Sequence, residues 1–342
     1  MFYWARVEVD VTIGSLEEIP EGWYALADSA QVTRDRVVAV ELAGERLVAW
    51  RDGAGVARVQ SAYCPHLGAA LDRGAEVVGG ELRCPFHGFR FDGEGRCVAT
   101  GYDTRPPGAA RLRTLPSVER HGCVLVWWSS VRAEPAWELP VVDEAGWSAF
   151  RFHTWELDGH PQETTENSVD VGHFRWVHGY EEVESLGPTE TDGPHLRARY
   201  TFIRRFPQGW PGALVSRQRI EVFVSGLGYS RVEVALSVGG LRMRLLVLPQ
   251  PLAVRRICLR VGLSVLDPKR TDGASAWARW MPPWFVAQVV GRAALGVYRR
   301  EVAADFEIWR HKAYVSPPVL AAGDGPIGRY RQWARQFYPS AA

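Results

Sequence analysis

The sequence predicts an α+β protein built on two antiparallel sheets, and three features of the chain predict it. Short apolar runs broken by Gly and Asp fill its first third; a longer strand-rich block follows; helical periodicity brackets that second block on both sides. Strands and helices segregate instead of alternating, which argues against a βαβ nucleotide fold. A length of 342 residues accommodates about two domains, and 46% hydrophobic residues are ample for their cores.

In the first block the runs are Val37–Leu42, Arg46–Trp50, Val56–Ser61, Glu76–Leu82, Phe89–Phe91 and Val124–Trp128, with turn signals at Asp52-Gly53, Gly79-Gly80 and Asp92-Gly93. They predict a small antiparallel β domain, assigned to residues 22–130, with residues 131–342 as a second domain on which residues 1–21 pack. Ser130–Gly146, with Pro135 and Pro140, reads as a connection. A helical pattern over Gln162–Val177 precedes strands at Leu196–Phe206, Gln218–Ser225, Arg231–Val238, Leu241–Leu248 and Arg256–Leu266. Alternation in Arg219-Ile220-Glu221-Val222 and Arg231-Val232-Glu233-Val234 marks strands with one buried face. The stretch Trp284–Trp309 is helical by period and holds no proline.

Charge and cysteine usage narrow the function classes. Forty basic against 39 acidic residues leave a net charge of +1, which removes the electrostatic case for a nucleic-acid partner. Only Lys269 and Lys312 are lysines, a bias of composition that carries no mechanism. Five cysteines are too few and of the wrong parity for a disulfide framework. With no secretory leader and no apolar run long enough to span a bilayer, a cytoplasmic location is expected.

Two constellations carry chemistry. In Cys64-Pro65-His66-Leu67-Gly68 and Cys84-Pro85-Phe86-His87-Gly88, each loop offers one thiolate and one imidazole, and 17 residues separate His66 from Cys84. Structural zinc usually pairs its ligands by type. Mixed loops suit a [2Fe-2S] cluster in which Cys64 and Cys84 hold one iron and His66 and His87 the other. Cys97, Cys123 and Cys258 fit no ligand spacing and read as small buried hydrophobes.

The second constellation is Glu166 to His178. Glu166, Asp170 and His173, spaced four and three residues apart, are expected on one helix face, whereas His178 lies five residues past His173, about 140° away. For both imidazoles to reach one metal, the helix must bulge or end between them. Two His and one carboxylate form the open facial triad of non-haem Fe(II) oxygenases. From ligand chemistry alone, Glu166, Asp170, Glu301 and Asp305 all qualify as the carboxylate.

The C-x-H and C-x2-H loops resemble the Rieske family, and Glu166, Asp170, His173 and His178 match the D/E-x3-D-x2-H-x4-H pattern of Rieske-type oxygenases. The C-terminal stretches Asp305 to Lys312, Asp324-Gly325-Pro326 and Gln332 to Tyr338 are similar to the end of the 3-ketosteroid 9α-hydroxylase oxygenase component and the cholesterol 7-desaturase group. That resemblance implies an antiparallel Rieske domain followed by a helix-grip, START-like catalytic domain. It makes Asp305 the third iron ligand beside His173 and His178, and gives Asp170 and Glu166 catalytic roles. It also implies a homotrimer in which electrons pass from His87 through Asp170 to His173 across an interface, with O2 as co-substrate. A carboxylate accepting from two imidazole N–H groups is sound chemistry for such a bridge.

No G-x-G-x-x-G and no ferredoxin-type cysteine run is present, so electrons from NAD(P)H are expected through a separate reductase, either a flavin and [2Fe-2S] protein or a ferredoxin chain. The resemblance favours a steroid, sterol or similar polycyclic substrate, hydroxylated or desaturated. Phe202, Phe206, Phe223, Leu246 and Leu248 are candidates to line its pocket, although each is equally adequate as core. Aromatic-ring dioxygenases and demethylases of the same superfamily are the competing enzyme class; a Rieske electron carrier is the non-enzyme reading. Trp277–Arg300 departs from the 9α-hydroxylases. Its aromatic and Arg flanks suit a helix on a membrane surface, while buried packing or a trimer contact is the plainer expectation for an apolar helix.

Overall fold

Residues 12–206 and 214–338 are described by the computed structural model. Two unbroken apolar strands organise its first third. Gly22–Asp28 and Cys123–Trp128 pair antiparallel, with Ser117–Arg120 on the outer side of the second, and both are buried almost throughout. Each strand feeds two cores. Tyr24, Leu26, Val124, Val126 and Trp128 face Leu42, Leu47 and Val59 of a second sheet, while Trp23, Ala25, Leu125 and Trp127 face the other domain. That double burial explains why Gly22–Asp28 shows no alternation and escapes a periodicity reading.

The second sheet runs Thr114–Leu115, Ala57–Ser61, Glu45–Arg51, Val38–Leu42, and a third runs Glu76–Val78, Glu81–Arg83, Arg90–Phe91, Cys97–Ala99. The single run expected over Glu76–Leu82 is thus two strands. Gly79 and Gly80, both at positive φ, make the two-residue hairpin between them. Of the three non-ligand cysteines, Cys123 is fully buried as expected, but Cys97 and Cys258 are only half-buried; all five are free thiols.

In the second domain the main sheet has the order Arg151–Asp158, Arg256–Val265, Arg242–Ala253, Tyr229–Leu236, Leu214–Ser225, His195–Phe206, Glu181–Ser185, with Glu190–Asp192 also paired to His195–Phe206. Period-2 alternation splits its side chains. Met243, Leu245 and Val247 face a cavity, whereas Leu246 and Leu248 point the other way and close on Trp23, Leu125 and Trp127 of the first domain. The candidates, for each of which core was the plainer reading, divide accordingly: Phe202 lines the cavity, Leu246 and Leu248 are interdomain core, and Phe223 sits between the guanidinium groups of Arg197 and Arg231. The side chain of Phe206 lies outside the described residues. His121 links the domains, its Nδ1 2.6 Å from Glu144 and its Nε2 2.7 Å from the Tyr229 hydroxyl.

Both expected helices are broken. Gln162–Val177 is two short helices, Pro161–Glu166 and Val171–Trp176. Trp284–Trp309 comprises Pro283–Phe285, a π turn over Val286–Val290, the helix Gly291–Ala303 and, after a break at Asp305, Phe306–His311. Leu295 and Val302 pack this segment on Leu263 and Val261 of the sheet. A further helix, Ile327–Ala334, buries Ile327, Tyr330, Trp333 and Ala334 beside the sheet's other end. Of the N-terminal segment, Thr12–Gly14 pairs with Tyr314–Ser316, and residues 1–11 lie outside the described residues. Among the described residues no helix is long and apolar enough to cross a membrane.

Candidate metal centres and the cavity above them

The two Cys/His loops are built alike. Cys64 N–H donates to Ala69 O and Gly68 N–H to Cys64 O, both at 2.9 Å; Cys84 N–H donates to Phe89 O at 2.8 Å and Gly88 N–H to Cys84 O at 3.2 Å. Gly68 and Gly88 close the loops at φ +75° and +68°, a backbone region costly to other residues. Cys64 and Cys84 are buried side by side, and burial, with the neighbouring Cys84 sulfur adding to it, pushes the Cys64 thiol up to about 11. At neutral pH the Cys64 sulfur so placed becomes a thiolate on binding a metal cation. The imidazoles of His66 and His87 lie 4.8 Å apart by ring centroid, His66 stacked on Phe89 at 4.4 Å. The donor set, two thiols and two imidazoles on facing loops, fits the mixed-ligand cluster. Leu67 and Phe86, 65% and 61% exposed, leave an apolar skirt around it.

The second centre assembles where helices stop. Val171–Trp176 begins with Asp170, whose Oδ1 accepts the His173 N–H at 2.9 Å, a side-chain cap. It ends before His178, so the chain turns and His178 comes back toward His173, ring centroids 4.4 Å apart. The helix therefore ends between the imidazoles instead of bulging. Asp305, buried at the break before Phe306–His311, puts Oδ1 2.6 Å from His173 Nε2 and Oδ2 3.8 Å from His178 Nε2. Donor atoms of the three residues all lie within 4.8 Å of one another. Burial first, and His173 second, lower His178 to about 4, so its imidazole is neutral and able to ligate at neutral pH. The 2-His-1-carboxylate set fits a mononuclear iron with positions left for other ligands.

The remaining sequence candidates divide. Asp170 lies next to this centre but bonds the His173 backbone, not its ring; burial raises its carboxyl above the usual range. His173 Nδ1 is buried and takes no hydrogen bond from the described residues. Glu166 is turned away. Its carboxylate forms a two-point ion pair with Arg331 (2.6 and 3.0 Å) and lies 3.6 Å from Lys312, tying the site helix to Ile327–Ala334. The expected shared face of Glu166, Asp170 and His173 fails because the helix breaks at Asn167–Asp170. There Gly325, at φ +86°, comes so close that a Cβ would meet Val169 O at 2.3 Å. Glu301 pairs with Arg204 and is not a third ligand. Asn167 was not singled out by sequence: its Nδ2 sits 3.3 Å from His173 Nε2, and a reading of Gln162–Val177 as one helix offers no signal for it.

Above the triad lies a cavity of about 320 Å³. Sheet residues Phe202, Ile220, Val232, Leu245 and Val247 form its floor, and Ala294, Val297, Tyr298 and Val302 of the helix Gly291–Ala303 its roof. Arg204, stacked on Tyr180 at 5.6 Å and paired with Glu301, joins Gln218, Ser230, Thr164, Asn167 and Ser168 as the polar elements of a mainly apolar wall. A cavity of this kind holds an apolar molecule with few polar groups next to the metal position.

A mixed Cys/His cluster lobe joined to a helix-framed facial triad under an apolar cavity defines the two-centre class of Rieske oxygenases. Residues 22–116 match the Rieske [2Fe-2S] domain, and residues 126–338 match the 3-ketosteroid 9α-hydroxylase C-terminal domain. The chain is 30% identical to cholesterol 7-desaturase of Bombyx mori over 335 residues, covering 93% of this chain and 69% of that one. It is 29% identical to a 3-ketosteroid-9-alpha-monooxygenase oxygenase component of Rhodococcus rhodochrous over 329 residues (93% and 83%). Among solved structures it is similar to NdmA of Pseudomonas putida CBB5 (TM-score 0.68, 16% identity, 92% and 88% covered) and to dicamba monooxygenase (0.63, 18%, 94% and 98%), likenesses of fold. This chain belongs to the Rieske oxygenases whose catalytic domain is of the 3-ketosteroid 9α-hydroxylase type, and is an oxidoreductase. It works with a Rieske cluster, a mononuclear non-haem iron and O2.

Proposed function

We propose that this oxygenase hydroxylates or desaturates a steroid, sterol or similar polycyclic lipid, with electrons supplied by a separate reductase or ferredoxin. The observation that carries the reading is the apolar cavity opening on His173, His178 and Asp305. Cys64, Cys84, His66 and His87 would hold the cluster, and His173, His178 and Asp305 the iron. The cluster supplies single electrons, and the iron supplies oxygen activation. The chain's own residues do the rest. Phe202, Leu245, Val247 and the roof helix exclude water and orient a flat apolar skeleton by shape, and Asp305 compensates the metal's charge at the cavity end. Asp170 is assigned the bridge to the cluster of a neighbouring subunit in a homotrimer, with its second carboxylate oxygen facing His87 of that subunit and the buried His173 Nδ1 as the donor it would serve. Glu166 is assigned a positioning role through Arg331.

The test is product analysis. Iron-loaded protein with a surrogate ferredoxin and reductase is offered 3-ketosteroids, sterols and, as a contrasting arm, methylated aromatic acids and methylxanthines. Oxygenated or desaturated polycycles support the reading. Demethylated aromatics with untouched polycycles would overturn the substrate class and favour a demethylase.

A further inference from the structure

An aromatic patch stands in solvent immediately before the helix that roofs the cavity. Trp277 and Trp280, three residues apart on the helix Ala276–Trp280, are 55% and 87% exposed, while Ala278 between them is buried and anchors the turn. After Pro282-Pro283 come Trp284 at 65% and Val289 at 47% exposure. The patch is rimmed by positive charge. Lys269, Arg270, Arg279, Arg292, Arg299 and Arg300 are all exposed, and between residues 268 and 300 the one acid is Asp272, a local charge of +5 in a chain whose total is +1. Lys269 and Arg279 border the same surface depression as Trp280.

Exposed tryptophans with prolines and a cationic rim match a bilayer interface, where the indole body sits among acyl chains and basic heads reach anionic lipid headgroups. The patch also leads, along the chain, into the roof of the cavity. From Trp284 the chain buries Val286, passes through the π turn and becomes the helix whose Ala294, Val297 and Tyr298 line the roof. A molecule dissolved in the membrane would meet that roof from its outer side.

We propose that the surface around Trp277, Trp280 and Trp284 docks on an anionic lipid bilayer, from which the substrate is drawn; this rests on the polycyclic-lipid reading above. Iron-loaded full-length protein should co-sediment with phosphatidylcholine vesicles containing phosphatidylglycerol. Binding should weaken in high salt and fall about tenfold for the double variant Trp280→Ser/Trp284→Ser. Lys269→Glu/Arg279→Glu should abolish its salt dependence. The tryptophan variant should turn over a polycycle delivered in cyclodextrin at the wild-type rate and one delivered in vesicles more slowly. Wild-type protein that stays in the supernatant overturns the proposal. So does a tryptophan variant that binds vesicles normally while its light-scattering mass drops below the wild-type assembly, which would make the patch a contact between copies of this chain. Vesicle binding is read without turnover, so a wrong substrate class, seen as no product even from cyclodextrin, leaves it legible.

Discussion

Single residues at the second centre carry separable tasks, and substitution should separate them. Asp305 supplies the carboxylate facing both imidazoles. Asp305→Ala is expected to lower iron from about three to about two per chain while leaving the reduced Rieske signal unchanged, because cluster and triad share no ligand. Metal analysis with paramagnetic resonance checks this. Asp170 combines a helix cap with the assigned bridge, and two variants divide them. Asp170→Asn keeps a side-chain acceptor for the His173 N–H and so keeps stability, yet removes the charge; turnover should collapse with both metal centres occupied. Asp170→Ala should additionally lose about 1 kcal/mol of stability in urea unfolding. Full activity in Asp170→Asn would remove the bridge. The cluster ligands were legible in the sequence because each loop is local, five residues with thiol and imidazole built in. Asp305 was not legible from the residues themselves: 132 residues separate it from His173, and only similarity to a known C-terminal stretch singled it out.

Elements are held around these residues by buried polar contacts that a hydrophobic pattern does not encode. Glu166 and Arg331 join the first site helix to Ile327–Ala334. Removing one partner strands a buried charge, so Glu166→Gln should cost about 3 kcal/mol, and Glu166→Gln/Arg331→Met should recover part of it. Turnover per bound iron should change by less than about twofold, the sign that Glu166 positions and does not react; a large loss at full iron content would restore it to the chemistry. The same helix starts on His160, whose Nδ1 accepts from Gln162 N–H while Nε2 donates to Glu18 O. Burial holds this imidazole at about 4, against about 6.5 unfolded. Between those values the unfolded chain binds the extra proton, so stability is complete above pH 6.5 and drains away as pH falls toward 4, by roughly 3 kcal/mol for this group. Urea midpoints of the holoenzyme from pH 7.5 to 5 should fall less steeply, by about one proton, in His160→Gln. Helical periodicity placed both site segments but missed their breaks. It sees apolar spacing, whereas Asp170 capping a new helix and Gly325 wedged against Val169 are backbone events. Strand positions in the main sheet of the second domain were legible where polar and apolar residues alternate, as in Arg219 to Val222 and Arg231 to Val234; Gly22–Asp28, buried on both faces, was not.

On the scale of the whole molecule, the main sheet of the second domain works as a partition. One face carries the cavity and triad, and the other, through Leu246 and Leu248, is fused to the first domain by Trp23, Leu125 and Trp127. Polar ties, the pairing of Arg260 with Asp28 and of His121 with Glu144 and Tyr229, add to that packing and hold the two domains against each other. Delivery to a neighbouring subunit, as proposed above, needs no movement of the cluster lobe within its own chain. The exposed apolar residues Leu67 and Phe86 around the cluster, and Trp176 (84% exposed) beside the triad helix, are surfaces such a neighbour would cover. Complementation decides between the two routes. Cys84→Ser lacks the cluster and Asp305→Ala lacks the iron, so each alone is inactive. Co-expressed in equal amounts and assembled at random into a cyclic trimer, they should recover about a quarter of wild-type turnover, because one junction in four then sets an intact cluster beside an intact iron. Delivery within one chain predicts none, since no subunit of the mixture carries both centres. Turnover at background, in assemblies shown by mass to contain both variants, would leave the electron path inside the single chain.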